Sequence, residues 1–236
     1  MTQDTPAASG PTTRTRVRRT AQEMTAPGST TRTRVRRLPE KAVPDRATLH
    51  AILDAGLVAY VAVLEDGQPF IVPVGYARDG ERVLIHGSSG SRLFRSLATG
   101  TPTCFTVTLL DGLVLARSAF ESSMNYRSVM ALGRCVELTG QDKDVALRTI
   151  SDHLLPGRWD DIRAPSRKEL AATCVLALAL DEVSVKVSTG GPEDAEEDLF
   201  RPTWAGHVPL REVAGDPVPA SDNRDPLPDY VLGWRR

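Results

Sequence analysis

The sequence has few of the residues that metal centres and disulfide frameworks use. It contains three cysteines and four histidines among 236 residues. Cys104, Cys135 and Cys174 lie far apart, in stretches with the character of strands. Neither the cysteines nor the histidines have the spacing of metal ligands, and an odd number of cysteines argues against a disulfide framework. The sequence therefore predicts no metal site built from such a cluster, and three buried thiols.

A charge excess and a long apolar run are also absent. The 29 basic and 30 acidic residues give a formal net charge of −1, so the molecule as a whole has no strong attraction to nucleic acid or membrane. No apolar run approaches the roughly 20 residues of a membrane helix. The N-terminal region is polar and lacks the apolar segment of a secretory signal. We therefore expect a cytoplasmic protein that binds neither membrane nor nucleic acid.

What is present suits one medium-sized domain with two polar ends. Hydrophobic residues make up 41% of the chain, enough for a real core. Residues 12–19 recur as residues 30–37, and both copies read TTRTRVRR. Such a segment buries too little to offset the cost of ordering, which predicts a disordered basic arm over 1–38; a phosphate- or nucleic-acid-binding arm is the alternative. We expect the folded domain over 39–210 and an extended tail over 211–236, with Met24 as a conceivable second start.

An alternation of apolar and polar residues, with a period of two, dominates the middle of the chain. Asp-Gly pairs at 66–67, 79–80 and 111–112 separate strand-like runs, as in short hairpins of an antiparallel meander. Helices are predicted over 46–55, where Asp45 supplies an N-cap, and over 91–99 and 142–155. The pattern predicts a small barrel of about seven strands. The strands are expected at 57–64, 70–77, 82–86, 103–110, 113–119, 127–138 and 175–187.

The segment from His86 to Arg92 is the first candidate site. It reads HGSSGSR: a strand ends, glycines and serines follow, and a helix begins with an arginine in its first turn. Backbone N–H groups, hydroxyls and a guanidinium together suit a phosphate, and glycine lets backbone approach its oxygens. The alternative is an ordinary capped turn with Arg92 at the surface.

The second candidate is the polar segment from Ala116 to Ser128. If it opens a strand, Asn125 and Arg127 lie on one face and Tyr126 and Ser128 on the other. Amide, guanidinium and hydroxyl groups at a barrel rim suit a heteroaromatic ring with carbonyl and N–H edges. A polar strand edge is the alternative.

These segments carry a resemblance to a known family. The motifs from His86 to Arg92, from Leu110 to Ser118 and from Ser123 to Ser128 resemble those of the pyridoxamine 5′-phosphate oxidase-like flavin-nucleotide-binding proteins, in the group that includes nitroimidazole-resistance reductases. The resemblance covers roughly three quarters of the chain. It implies a mainly β fold with flanking helices, a six-stranded antiparallel split barrel of the FMN-binding type. It also implies a homodimer with FMN at the subunit interface.

The resemblance assigns roles to individual residues. Ser91 and Arg92 would hold the flavin phosphate, with His86, Gly87 and Ser88 beside them. The ring would lie along Val72, Pro73, Val74 and Gly75, while Asn125, Tyr126, Arg127 and Ser128 would reach across from the partner subunit. Trp204 would cover the flavin. Lys186 would reach a phosphate or a flavin carbonyl, unless it is a surface lysine with its stem packed.

The expected function is that of an FMN-dependent oxidoreductase acting on a small molecule, with NAD(P)H or oxygen as redox partner. No side chain has the features of a catalytic acid or base, so Tyr126 and Arg127 are the first to test. The paired arginines that grip the product in true pyridoxamine-phosphate oxidases have no counterpart. The alternative is a non-catalytic carrier or sensor of flavin, haem or deazaflavin, for which His207 would be a candidate haem ligand. The acidic loop at 194–198 is expected to be solvated.

Overall fold

The computed structural model describes residues 24–235 of the chain. The first copy of the repeat, with the prediction that it is disordered, lies outside the described residues. Within them, nine strands form one antiparallel sheet that curls into a half-open barrel, in the order β6-β7-β3-β2-β1-β4-β5-β8, with β9 paired to β4. The strands are β1 Val58–Glu65, β2 Gln68–Asp79, β3 Arg82–Ser88, β4 Pro102–Leu115, β5 Ser123–Arg134, β6 Val136–Glu137, β7 Thr173–Ala179, β8 Glu182–Ser188 and β9 Gly206–Pro209.

The antiparallel split barrel predicted from the sequence is confirmed, with nine strands in place of six. Seven of the strands have at least seven residues, whereas β6 and β9 have two and four. The predicted strand at 175–187 is two strands, β7 and β8. The sequence does not indicate the turn between them, because the apolar run continues through Leu180, which lies at the turn and is fully buried.

Two Asp-Gly pairs have different structures. Asp66 and Gly67 form the β1–β2 turn with φ of 50° and 78°, as the sequence predicts. The hairpin predicted at Asp111-Gly112 is wrong: β4 runs through it as a single strand with a bulge. A Cβ on Gly112 would lie 2.8 Å from the Val208 carbonyl oxygen, so glycine is needed here for the close approach of β9.

Within residues 24–235, six α-helices flank the sheet: α1 Arg46–Ala55, α2 Arg92–Ala98, α3 Gly140–Leu154, α4 Arg158–Asp161, α5 Arg167–Ala172 and α6 Asp229–Leu232. The Asp45 carboxylate accepts from the Thr48 N–H at 2.7 Å and so caps α1, as predicted. Ser166 and Glu169 form a complete capping box at α5. No helix of the described residues is both long and apolar enough to cross a bilayer.

Strand β3 separates two apolar clusters. Val83 and Ile85 face the barrel interior, which α1 and α2 also fill, whereas Leu84 faces a second cluster beneath α3. Because successive strand residues point to opposite sides, His86 belongs to the α3 side and Gly87 to the barrel side. The two sides of β3 therefore carry different parts of the predicted phosphate motif.

The described part of the N-terminal region lies on the barrel, unlike the free arm predicted for 1–38. The Gly28 N–H donates to the Val183 carbonyl at 2.7 Å. The Glu182 carboxylate accepts from the Thr30 hydroxyl and from Arg32 Nε, both at 2.9 Å. Glu182 on β8 thus contacts two residues of the second repeat copy.

The C-terminal region is extended over 210–228, which contain no helix or strand. Its end then returns to the body through α6. The Tyr230 hydroxyl donates to Asp161 Oδ2 at 2.6 Å and accepts from Arg158 Nη1 at 3.0 Å. The tail is therefore tied to α4.

Candidate functional site

The turn between β3 and α2 contains a helix N-cap whose side chain makes no capping hydrogen bond. The Ser88 hydroxyl accepts from the Gly90 N–H at 3.2 Å, and its carbonyl accepts from the Ser91 N–H at 3.0 Å. Ser91 is the N-cap residue of α2, yet its side chain makes no capping hydrogen bond. Its hydroxyl and the first-turn amides are therefore open to an anionic ligand.

The two glycines of this turn have different roles. A Cβ on Gly87 would overlap the ring of the buried Phe94, so this glycine lets α2 pack against β3. A Cβ on Gly90 would meet only the Ser88 hydroxyl, at 3.6 Å. Gly87 is thus needed for packing, which is a different reason from the close approach to phosphate that the sequence suggested.

Arg92 lies between the turn and β2. Its guanidinium carbon is 3.7 Å from the centroid of the Phe70 ring, and its Nε is 3.5 Å from Glu65 Oε2. The side chain is 59% exposed, so this ion pair is loose and screened by solvent. Arg92 can therefore turn to a ligand without leaving a buried charge behind.

The strand that Arg92 contacts is also the one predicted to line a flavin ring. Val72 and Pro73 of β2 are exposed, and Val74 and Gly75 are half-buried. Gly75 pairs with Val58 at the beginning of β1. The structure thus brings the start of this strand, at Phe70, together with Arg92.

His86 lines a different feature, an open pocket of about 420 Å3 on the α3 side. Ser88, Ser91 and Arg92 are not among the residues that line it. Apolar side chains from α3, α4, α5 and the segment between α4 and α5 form more than half of its wall. The lining residues are His86, Leu147, Trp159, Ile162, Arg163, Pro165, Glu169, Leu170 and Thr173.

The polar groups of this pocket are largely neutralised. Arg163 donates to both oxygens of Glu169, and this hydrogen bonding, with that from Ser166, holds the pKa of the Glu169 carboxyl well below its usual range. Desolvation lowers the pKa of His86, although part of the residue is exposed to solvent. The imidazole is therefore neutral at pH 7 and has a lone pair for a metal.

The polar segment on β5 has the face alternation that the sequence predicted. The side chain of Asn125, which is buried, donates to the Gly190 carbonyl at 2.9 Å. Arg127 forms two hydrogen bonds with Asp111, at 2.7 and 2.8 Å, and the partnership raises its pKa. These two residues hold loops and the β4 bulge in place, which leaves Tyr126 and Ser128 on the opposite face.

Ser128 and Lys186 lie directly opposite each other on β5 and β8. They help to line a second open pocket, of about 320 Å3, whose outer wall is the second copy of the repeat. The other lining residues are Arg32, Thr33, Arg34, Val35, Arg36, Arg37, Thr106, Val129, Met130 and Ser184. Sequence reasoning named Ser128 and Lys186 but did not connect them with the arginine repeat.

Trp204 and His207 lie at the end of the molecule that β9 forms. The Trp204 ring covers Gly206, where an added Cβ would lie 2.8 Å from it, and the side chain is 66% exposed. His207 is exposed and pairs with Val114 of β4. Within the described residues, neither one lines either pocket.

One residue of the acidic loop is buried, contrary to the solvated loop that we expected. The Asp194 side chain is 2% exposed and accepts from the backbone N–H and from Nη1 of Arg117, both at 2.6 Å. Only the long-range contact with Arg117 distinguishes Asp194 from its acidic neighbours, so no local signal could have revealed it.

The cysteines do not form a reactive site. Burial raises the pKa of Cys135 to about 12 and also raises that of Cys104, so these two thiols stay protonated at neutral pH. Within residues 24–235, no cluster of three or more histidine, cysteine or acidic side chains is placed to hold a metal ion.

Comparisons with known proteins agree with this architecture. The family model described as pyridoxamine 5′-phosphate oxidase matches residues 45–187. The FAD and haem binding protein from Mycobacterium smegmatis is 44% identical, with a TM-score of 0.79, and the match covers 82% of this chain and 96% of that one. The flavocytochrome Anf3 from Azotobacter vinelandii is 42% identical, with a TM-score of 0.83, over 89% of this chain and 99% of that one. No curated protein matched. The chain belongs to the pyridoxamine 5′-phosphate oxidase-like family of split-barrel proteins.

Proposed function

We propose that this protein binds a flavin nucleotide and a haem and acts as a redox protein. The observation that carries the proposal is the identity of more than 40% with two solved proteins, one that binds FAD and haem and one that is a flavocytochrome. Because a shared fold does not by itself assign a function, the residues of this chain also have to fit each group.

The β3–α2 turn and β2 fit a flavin nucleotide. The open Ser91 hydroxyl, the first-turn amides of α2 and the Arg92 guanidinium supply donors for a phosphate. The exposed edge at Val72 and Pro73 supplies an apolar surface for the ring. The sequence pointed to FMN, whereas the M. smegmatis relative binds FAD, and we therefore propose FAD.

The pocket at His86 fits a haem better than a flavin phosphate. Its walls are mostly apolar, its imidazole is neutral, and a guanidinium, Arg163, lies in its wall where a propionate could replace part of the Glu169 pairing. We propose His86 as the iron ligand, in place of its predicted role beside the phosphate. When bound, the haem and the flavin would supply one- and two-electron chemistry, and the protein would orient them.

We further propose that the protein is a homodimer through the outer face of β1, β2, β4 and β5. This face exposes a contiguous set of large apolar side chains, which monomers rarely leave in water. A second copy is the partner that fits, because dimers of one chain use the same surface twice. Tyr126 and Ser128 lie on the same face, at the edge of the patch. The patch contains Val58, Tyr60, Leu64, Ile71, Leu110, Leu113 and Met124.

The proposed activity is electron transfer from a donor such as NAD(P)H to oxygen or a small molecule. Arg127 is occupied by Asp111, and no described side chain is placed as an obvious acid or base. The contribution of the protein is then to bind and orient the two groups.

The test is the composition and spectrum of the purified full-length chain. We expect flavin absorption bands together with a haem Soret band, and FAD as the flavin released on denaturation. Release of FMN alone would correct the flavin, and absence of both groups after incubation with FAD and haemin would contradict the proposal. Bleaching of the flavin bands by NAD(P)H distinguishes an oxidoreductase from a carrier.

A further inference from the structure

The pocket between the second repeat copy and the β5–β8 pair contains an uncompensated positive charge. Arg34, Arg36, Arg37 and Lys186 line it, and none of them forms an ion pair or a side-chain hydrogen bond within the described residues. No acidic side chain is among the residues that line it. Arg32, by contrast, is neutralised by Glu182. Four like charges around one opening repel each other, so an anion placed among them would relieve that repulsion.

Hydroxyl groups on the strands complete the pocket floor. Ser184 is only 8% exposed and lines the pocket, to which its hydroxyl can donate a hydrogen bond. The Thr106 hydroxyl already donates to the Val129 carbonyl at 2.8 Å, so it is not a donor for an anion. Ser128 pairs with Thr108 on one side and with Lys186 on the other.

The basic wall is held in place before any ligand arrives. Glu182 fixes Thr30 and Arg32, and Thr33, buried at 2% exposure, bonds the Thr30 hydroxyl at 2.8 Å. On the far side of the arginines, a β-bridge joins Ala42 to Lys186. The arginines between these two anchors therefore lose less freedom on binding than those of a free tail would.

We propose that this pocket binds the diphosphate group of a nucleotide. Guanidinium and ammonium groups with hydroxyl donors are the groups that phosphates recruit, and four cations around one opening can contact the several oxygens of two linked phosphates. The volume of about 320 Å3 lies at the lower end of ligand pockets, which suits a diphosphate with part of its ribose and not an entire dinucleotide.

Two sources could supply this diphosphate. One is the bound FAD, and this source rests on the proposed function; because FAD has a single diphosphate, its phosphates would then lie in this pocket and not at Ser91 and Arg92. The other is a separate nucleotide, such as the nicotinamide dinucleotide donor. The pocket and its chemistry are the same in both cases, so ADP, the part that both sources have in common, tests the site itself.

The experiment is a calorimetric titration of the full-length protein with ADP, at two salt concentrations. We expect ADP to bind, with an affinity that falls as salt rises. Lys186→Met keeps the aliphatic stem on β8, and Arg36→Gln changes an exposed side chain. Each should weaken ADP binding at least tenfold, and Ser184→Ala about threefold. Arg211→Gln, which removes the same charge from the extended tail, is the matched control and should leave the affinity unchanged.

Failure of ADP to bind the wild-type chain, or equal affinities in wild type, Lys186→Met and Arg36→Gln, would overturn the site. Thermal melting of each variant confirms that it is folded, and Arg36→Gln decides the matter if Lys186→Met melts early. FAD and FMN titrations of the same proteins identify the source. If Lys186→Met removes a preference for FAD over FMN, the diphosphate belongs to the flavin; if that preference is unchanged while ADP binding is lost, it belongs to a separate nucleotide. An absence of all flavin binding with ADP binding intact would reject the proposed function and leave the site standing.

Discussion

Two pockets of the described residues have similar sizes and opposite chemistry. The one at His86 has about 420 Å3 and walls of leucine, isoleucine, proline and tryptophan, with its single arginine already paired to Glu169. The one at Lys186 has about 320 Å3 and four cations without acidic partners. The difference teaches that volume selects the size of a ligand, whereas the charge balance of the wall selects its class. An apolar group with one metal-binding position fits the first pocket, and a polyanion fits the second.

The pockets also differ in how the chain builds them. Helices α3, α4 and α5 form the His86 pocket, whose wall is packed against the second apolar cluster. The Lys186 pocket consists of strand side chains under an irregular segment that ion pairs and hydrogen bonds hold. We therefore expect the first to respond to packing and the second to salt and charge.

The largest expected effect is that of His86→Ala on haem binding. The substitution removes the one metal-binding side chain of the apolar pocket, so the Soret band of the purified protein should be lost while the flavin bands and ADP binding remain. Absorption spectra of variants reconstituted with haemin and FAD measure this. His207→Ala, on the exposed strand β9, is the control and should keep its Soret band. The reverse result, with the band lost only in His207→Ala, would move the haem out of this pocket.

A smaller effect is expected from Gly87→Ala, which tests whether the two sides of β3 are independent. The new Cβ would overlap the Phe94 ring, so α2 has to shift and the protein should lose about 1–3 kcal/mol of unfolding free energy. Flavin binding should weaken, because Ser91 and Arg92 move with α2, while the haem pocket on the other side changes less. Urea unfolding and the two absorption bands measure these quantities. Gly90→Ala should stay within about 0.5 kcal/mol of wild type, since only the Ser88 hydroxyl is near; equal destabilisation by both would contradict the Phe94 explanation.

Some features of the fold and of the two pockets could be predicted from the sequence, and others could not. Period-two patterning and Asp-Gly signals predicted the antiparallel barrel, and Asp66-Gly67 is the turn they indicate. The hairpin predicted from the same dipeptide at Asp111 is wrong, because the close approach of β9 to Gly112 is a tertiary contact that no local sequence pattern indicates. The sequence identified His86 as a site residue but grouped it with the phosphate motif. His86 and Gly87 point to opposite sides of β3, and the sequence does not show that each side is covered by a different part of the protein. The position of the repeat beside Lys186 depends on contacts such as that of Arg32 with Glu182, 150 residues further along, which no local pattern contains.

The smallest effect expected is that of Tyr230→Phe. Within the described residues, the C-terminal tail contacts the wall of the His86 pocket and not that of the Lys186 pocket, so this substitution should affect only the first. The Tyr230 hydroxyl bonds Asp161 and Arg158 of α4, and α4 carries Trp159 of the apolar wall. Loss of these exposed hydrogen bonds should cost less than about 1 kcal/mol, which corresponds to a change of less than about fivefold in an equilibrium constant. We therefore expect haem to transfer to an excess of an acceptor protein a few times faster, with ADP affinity unchanged. Tyr60→Phe on β1 is the control and should leave the transfer rate as it is. An unaltered rate in Tyr230→Phe would mean that the apolar cluster beneath α3 holds the wall without the tail, whereas a change in ADP affinity would mean that the two pockets are coupled through the barrel.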